Sequence, residues 1–325
     1  MTDIYGTLGP ACADADTLEQ MFRNGMTGVR LNLSHVTLRQ AAVQVEALKI
    51  AAARCGKEPK LLIDMQGPEL RIGALPQALP LAEGQTVALG EELPLPKAVL
   101  EALEPGQELL LDDGKLLLRC ETAVRARVVR GGMLQSRKSV ALPGKNVRLP
   151  ALTESDRENI AVAKDYGVTG VMQPFVRCPE DLRAVREALD AAGEEDIRLF
   201  AKIESLEGLK DLPELMDGAD EIVIARGDLG NAMPLWQLPA AQKRIAALCR
   251  AAGKPFMVVT QMLASMERSP VPTRAEVSDI FNAVLDGAAS VMVTGETAVG
   301  RFPAETIEFL TKTVREAENY QKTGM

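Results

Sequence analysis

Three side chains in two short stretches carry the strongest chemical signal in this 325-residue chain. Leu199-Phe200-Ala201-Lys202-Ile203-Glu204 begins as an apolar run of strand length and ends in charge. Ile222-Val223-Ile224-Ala225-Arg226-Gly227-Asp228 does the same one unit later. Side chains alternate across a strand, so Lys202 and Glu204 point to one side. A cation and a carboxylate at the end of a buried strand are costly to desolvate. For one strand alone, a structural ion pair explains them equally well. The second strand adds Asp228, beside a glycine that lets the backbone approach a ligand closely. Two carboxylates from adjacent strand ends suit a hard, oxygen-loving cation such as Mg²⁺. A lysine beside that cation suits an anionic substrate or a charge that develops during reaction. The chain has one histidine, His35, so proton chemistry falls to carboxylates, lysine, hydroxyls or water.

These residues need elements that bring them to one place. Val29-Arg30-Leu31-Asn32-Leu33-Ser34 alternates strictly, with Arg30, Asn32 and Ser34 on one face, and Leu61-Leu62-Ile63-Asp64 is another apolar run ending in acid. Between and around them the rhythm is β–α–β–α: a strand at 5–10, a helix at 16–24 capped by Asp14 or Asp16 and stopped by Gly25, a strand at 29–34, a helix at 38–55 and a strand at 61–64. After Arg71 the composition changes. Residues 72–146 read as short alternating segments, a short helix near 96–102, and hairpin turns at Asp112-Asp113-Gly114 and Gly131-Gly132. The rhythm resumes at Thr153, with helices at 155–166, 180–191, 239–252, 275–285 and 303–319 and strands at 170–175, 199–204, 222–228, 255–261 and 290–294. Setting the insert aside leaves about 250 residues, eight strands and about eight helices, which is the size of a (β/α)₈ barrel. The expected fold is therefore α/β, a TIM barrel (1–71 and 147–325) with a small β-barrel-like lid domain (72–146) inserted. Chemistry in such barrels sits at the C-terminal strand ends. Arg30, Asn32, Ser34, Asp64, Lys202, Glu204, Asp228, Thr260 and Thr294 all fall there.

Apolar residues make up 46% of the chain and the net charge is −8. That balance gives no general electrostatic footprint for nucleic acid or an anionic membrane. No apolar run approaches the roughly 18–20 residues of a membrane span, and the N-terminus lacks the basic-then-apolar pattern of a secretory signal. Cys12, Cys55, Cys120, Cys178 and Cys249 are odd in number and never in a C-x-x-C pair. They read as unpaired, mostly buried thiols in a reducing, cytoplasmic compartment.

At its strand ends the chain resembles the pyruvate kinase family. The resemblance is carried by Thr7-Leu8-Gly9-Pro10-Ala11, Val29 to His35, Gly67-Pro68-Glu69-Leu70-Arg71, Ala201 to Glu204, Ala225-Arg226-Gly227-Asp228-Leu229-Gly230, Thr260 to Met266, Pro272 to Glu276, and Thr294-Gly295-Glu296-Thr297-Ala298. It implies phosphoryl transfer from phosphoenolpyruvate to ADP, giving pyruvate and ATP, with Mg²⁺ (or Mn²⁺) and K⁺. It implies that Glu204 and Asp228 hold Mg²⁺, and that Lys202 and Arg30 contact the phosphoryl group. Asn32, Ser34, Asp64 and the Met65 carbonyl would hold K⁺, and Glu69 matches the K⁺-dependent form. The N–H groups of Gly227 and Asp228, with the Thr260 hydroxyl, would hold the substrate carboxylate. Thr260 and Glu296 would belong to the proton path. Arg71 and Lys138 would lie near the nucleotide phosphates, and His35 and Pro10 near the nucleotide. The insert resembles a mobile lid that excludes water, and the Ser269–Glu276 loop resembles a homodimer contact, with an ordinary surface loop as the alternative.

The chain departs from the family in five respects. It stops after the eighth helix, so the family's C-terminal domain and its sugar-phosphate regulation are not expected. The lid is shorter than usual. Pro174 stands where the family typically has a serine near the phosphoryl group, which removes a hydroxyl worth about 1–3 kcal/mol if it is used. Gln66 replaces a usual lysine, and Thr294 a usual serine. Two other readings compete with the kinase: a divalent-metal lyase or decarboxylase acting on a pyruvate- or oxaloacetate-like acid, and a non-catalytic homologue. The lyase shares the enolate chemistry. The non-catalytic reading expects a loss at Lys202, Glu204 or Asp228, and all three are present.

Overall fold

A computed structural model describes the chain except His35, Asp113, Asn146, Arg148 and Met325. Its described residues form two compact units, Met1–Gly67 with Ala151–Met325, and Pro68–Pro150. The first is a closed barrel of eight parallel strands: β1 Asp3–Thr7, β2 Gly28–Asn32, β3 Lys60–Asp64, β4 Gly170–Gln173, β5 Arg198–Ile203, β6 Glu221–Ala225, β7 Phe256–Val259 and β8 Ser290–Met292. Each strand pairs with its neighbours in sequence, and β8 closes on β1 through Asp3↔Ser290 and Tyr5↔Met292.

The apolar runs fill two separate layers. Tyr5, Leu62, Met172, Phe200, Val223, Met257 and Met292 pack inside the barrel. The alternate residues of the same strands, such as Leu61, Ile63, Leu199, Ala201, Ile222 and Ile224, pack outward against the helices. Burial on both faces explains why the strands read as continuous apolar runs. Polar side chains are then tolerated only near the strand ends, where partners are available.

Several boundaries differ from the sequence reading, for local reasons. The strand expected at 222–228 ends at Ala225, and Arg226–Ala232 is a helix. Asp228 therefore sits in a first helical turn rather than on a strand. The strand expected at 255–261 ends at Val259, because Thr260 and Gln261 adopt positive φ values of 78° and 55°. β8 likewise stops at Met292, and Gly295–Ala298 is a short helix. The helix expected at 155–166 is two pieces, Glu154–Ile160 and Ala163–Tyr166, and the helix expected at 38–55 is Ala42–Arg54. Two short helices after β5, Leu206–Lys210 and Leu212–Leu215, carry no sequence expectation. Asp14 is the cap of the first helix, Ala15–Arg23, accepting from the Thr17 N–H.

The described residues of the second unit form a five-stranded and a two-stranded antiparallel sheet, with one helix, Lys97–Ala102. It has its own core of Val87, Leu93, Val99, Leu109, Leu111, Leu118 and Val128 among others. No helix of the described residues is long and apolar enough to cross a membrane.

Candidate active site

The barrel's parallel topology sends the ends of β2, β3 and β5 to the same rim, and register places Asn32 beside Asp64. Asp64 is almost fully buried and accepts from two cations. Arg30 reaches it with Nε at 2.8 Å and a terminal nitrogen at 2.7 Å. The Lys202 Nζ lies 3.1 and 3.2 Å from its two oxygens. The same Nζ lies 3.0 Å from Glu204 Oε1. The result is a continuous row, Arg30–Asp64–Lys202–Glu204, from three strands.

Electrostatics along the row is uneven. Burial alone would raise the Asp64 carboxyl, but the charges of Lys202 and Arg30 outweigh it and hold Asp64 below its ordinary value. Burial alone would lower the Lys202 ammonium, but Asp64 and Glu204 drive it above its ordinary value. Glu204 goes the other way. Burial pushes it up to about 7; Lys202 opposes this, and the negative charges of Asp228 and Asp64 add to it. Three acids thus face two bases, and the surplus negative charge sits on the Glu204–Asp228 side. Oxygen donors with surplus negative charge fit a hard divalent cation, and a two-carboxylate site leaves room for the waters and substrate oxygens that Mg²⁺ retains. Among the described residues no group of three or more His, Cys, Asp or Glu side chains forms a metal cluster.

The second Glu204 oxygen accepts from the Phe175 N–H at 2.8 Å. Phe175 has a φ of 49°, so the turn after Pro174 aims that N–H at the carboxylate. Pro174 itself packs on Gly67, where a Cβ would lie 2.5 Å from its ring. Neither Phe175 nor this packing was legible in the sequence, where Pro174 read only as a missing hydroxyl.

The other candidates are distributed as follows. Asn32 accepts from the Ser34 N–H at 3.1 Å. The Met65 N–H is bonded to the Met172 carbonyl. Gly227 and Asp228 open the helix Arg226–Ala232, and Thr260 lies against Gly227, its methyl 3.2 Å from where a Gly227 Cβ would stand. Glu296 is buried; one oxygen accepts from the Leu263 N–H at 3.1 Å, the other from the Thr294 N–H at 2.6 Å and the Thr294 hydroxyl at 3.3 Å. Pro10 is exposed at the start of the 3₁₀ turn Pro10–Cys12. His35 lies outside the described residues. The Ser269–Glu276 loop enters the helix Arg274–Leu285 through a capping box between Thr273 and Glu276.

Within the second unit, Arg71 and Ser139 bridge and the Ile72 N–H donates to the Lys138 carbonyl, which sets Arg71 and Lys138 on adjoining segments. Both cations have acidic partners: Arg71 pairs with Glu69 at 2.8 Å, and Lys138 with Asp112 at 2.8 Å. The five cysteines are free; Cys12, Cys120 and Cys249 are buried, and Cys55 and Cys178 are half-buried. Burial raises the Cys12 and Cys249 thiols to about 11 and about 12, which makes them inert.

Two anchoring groups had no sequence expectation. Asp156 is fully buried and accepts from the N–H groups of Gln66 at 2.8 Å and Gly67 at 3.0 Å, and from the N–H and hydroxyl of Thr153 at 2.9 and 2.8 Å. Gln173 donates to the Ala151 carbonyl at 2.8 Å. The only signal for Asp156 was its place three residues after Thr153, a capping-box spacing.

The chain is similar to known proteins over most of its length. The family described as pyruvate kinase, barrel domain, matches residues 1–307. A pyruvate kinase of Methylorubrum extorquens is 39% identical over 98% of this chain and 68% of its own length. One of Geobacillus stearothermophilus is 36% identical over 94% of this chain and 55% of its own, and one of Clostridium acetobutylicum 35% identical over 98% and 70%. The chain thus spans from about half to about two thirds of the length of these relatives.

Proposed function

The chain belongs to the pyruvate kinase family, and on that premise we propose that it transfers the phosphoryl group of phosphoenolpyruvate to ADP, giving pyruvate and ATP in the cytoplasm. The single observation that carries the proposal is the row of ionisable groups Arg30–Asp64–Lys202–Glu204 with Asp228 beside it, Asp64 and Glu204 buried and the others half-buried at the barrel rim. Phosphoryl transfer asks a protein mainly for positioning and charge neutralisation.

Glu204 and Asp228 are the residues proposed to hold Mg²⁺, which when bound supplies positive charge to the phosphoryl and enolate oxygens. Asn32, Ser34, Asp64 and the Met65 carbonyl are proposed for K⁺. Lys202 and Arg30 are proposed to face the phosphoryl oxygens in flight. Asp64 holds both cations in place, so their long side chains need not be ordered at the moment of reaction. The N–H groups of Gly227 and Asp228, with the Thr260 hydroxyl, are proposed to bind the substrate carboxylate. The enolate left by transfer must gain a proton on its terminal carbon, and Thr260 is the hydroxyl proposed to relay it. Both Glu296 oxygens already accept from backbone N–H groups, which favours a role in holding the Thr260–Leu263 loop over direct proton transfer. Arg71 and Lys138 are proposed for the nucleotide phosphates, exchanging Glu69 and Asp112 for them.

The test is pyruvate formation from phosphoenolpyruvate and ADP with Mg²⁺, with and without K⁺. The expected result is K⁺-dependent turnover that falls roughly a thousandfold in Lys202→Met and in Glu204→Gln. No turnover in the folded, Mg²⁺-binding protein would overturn the kinase reading, and oxaloacetate decarboxylation is then the assay to run.

A further inference from the structure

The loop after β7 carries strain that the proposed reaction leaves unexplained. Thr260 has φ 78° and Gln261 φ 55°. A β-branched residue in the left-handed region is a genuine outlier. Such a conformation persists only where its surroundings impose it.

Arg226 imposes it. This residue follows β6 directly, and its guanidinium reaches across to the neighbouring loop. Nε donates to the Thr260 carbonyl at 3.1 Å and to the Val259 carbonyl at 3.3 Å. One terminal nitrogen donates to the Thr260 carbonyl at 2.7 Å and lies 2.9 Å from the Met262 sulfur. The other donates to Asp279 at 2.6 Å and to the Gln242 side chain at 3.5 Å. The Arg226 side chain is only 12% exposed, so few waters compete for these bonds. The far end of the loop is fixed by Glu296 through the Leu263 N–H. Next to Arg226, Gly227 leaves the space that the Thr260 side chain occupies.

We infer that the Arg226–Asp279 pair is a latch that holds Thr260 in its left-handed conformation and so keeps the Thr260 hydroxyl beside Gly227 and Asp228. Arg226 and Asp279 are positioning residues. The catalytic consequence rests on the kinase reading above; the conformational claim does not. The latch requires arginine, because a planar fork can meet a carboxylate and two carbonyls at once, and a lysine ammonium cannot.

The test has two arms. In the first, Thr260→Ala and Thr260→Gly are compared by thermal unfolding, with and without Arg226→Met. At positive φ glycine is the more stable occupant; at negative φ alanine is. The latch predicts that glycine melts above alanine with Arg226 present, and that the order reverses when Arg226 is replaced. An unchanged order overturns the latch. In the second arm, steady-state kinetics of Arg226→Met, Arg226→Lys and Asp279→Asn are compared with the parent protein. The expected result is a tenfold or greater fall in kcat/KM for phosphoenolpyruvate, no rescue by lysine, and a KM for ADP within twofold of the parent. Reversal of the melting order with unaltered phosphoenolpyruvate kinetics would overturn the positioning role. If the parent protein itself does not turn over, the kinase reading falls, and the latch stands or falls on the melting order alone.

Discussion

Glu204 shows how much one buried carboxylate can report. Its folded-state value of about 7 lies above its ordinary 4.5, chiefly because it is buried. The folded protein therefore binds that proton more tightly than the unfolded chain does. Its contribution to stability is complete below 4.5 and is lost as pH rises through about 7. Glu204→Gln should accordingly stabilise the metal-free protein, with no gain at pH 4.5 and a gain that grows to a plateau above pH 7. Unfolding curves across that range check this, and a constant or decreasing gain contradicts it. The same proton must leave before a cation can bind. Calorimetry of Mg²⁺ binding in buffers of different ionisation heat should show nearly one proton released at pH 6 and almost none at pH 8.

Among elements, the short segments at the barrel rim matter more than the long helices. Lys202 and Glu204 were legible because strand alternation is a strict rule. Arg226 to Asp228 looked like a strand end because a helix that begins at Arg226, straight after Ala225, has neither a capping side chain nor an apolar period to announce it. Thr260 was legible as a rim residue but its conformation was not, since nothing in a Thr-Gln pair signals positive φ; the group that bonds its carbonyl is the Arg226 guanidinium, from the helix that follows another strand. Asp156 was hidden for a different reason. Its partners Gln66 and Gly67 lie about 90 residues away in sequence. Replacing it tests how tightly the root of the insert is held. Asp156→Asn presents an amide N–H to donors that need an acceptor, and should cost about 2–3 kcal/mol of barrel stability. Chemical denaturation checks this, and a loss under 1 kcal/mol would mean that the bonds are replaceable by water.

For the molecule as a whole, the two ends of the barrel divide their work. The N-terminal end has its own buried acid: Glu221 accepts from the Ser290 hydroxyl and from Arg198 at 2.9 Å, and Arg198 lies over the Phe200 ring. Burial raises Glu221 as it raises Glu204, yet two donors satisfy it and no substrate role falls to that end. Glu221→Ala should cost about 1–3 kcal/mol, by orphaning its partners. It should leave kcat within twofold, which unfolding and turnover measured on one preparation can decide. The barrel was legible from its β/α rhythm because each unit repeats the same apolar code. The second unit was legible only as an interruption, since short strands of mixed polarity fix neither their order nor their pairing.

The bonds that meet at Asp156 also bear on how the barrel assembles. β3 ends at Asp64 and β4 begins at Gly170, yet they are neighbours. Closing so long a loop adds only a few kcal/mol over a short one, since the entropy cost grows with the logarithm of length. The cost to rate is greater, because pairs distant in sequence form late. One carboxylate gathers both Gln66-Gly67 and Thr153, so the strands on either side meet at a fixed point. To the nascent barrel, the chain from Pro68 to Pro150 then counts as a short bridge, and sequence between those two residues can lengthen or shrink without moving the strands it joins.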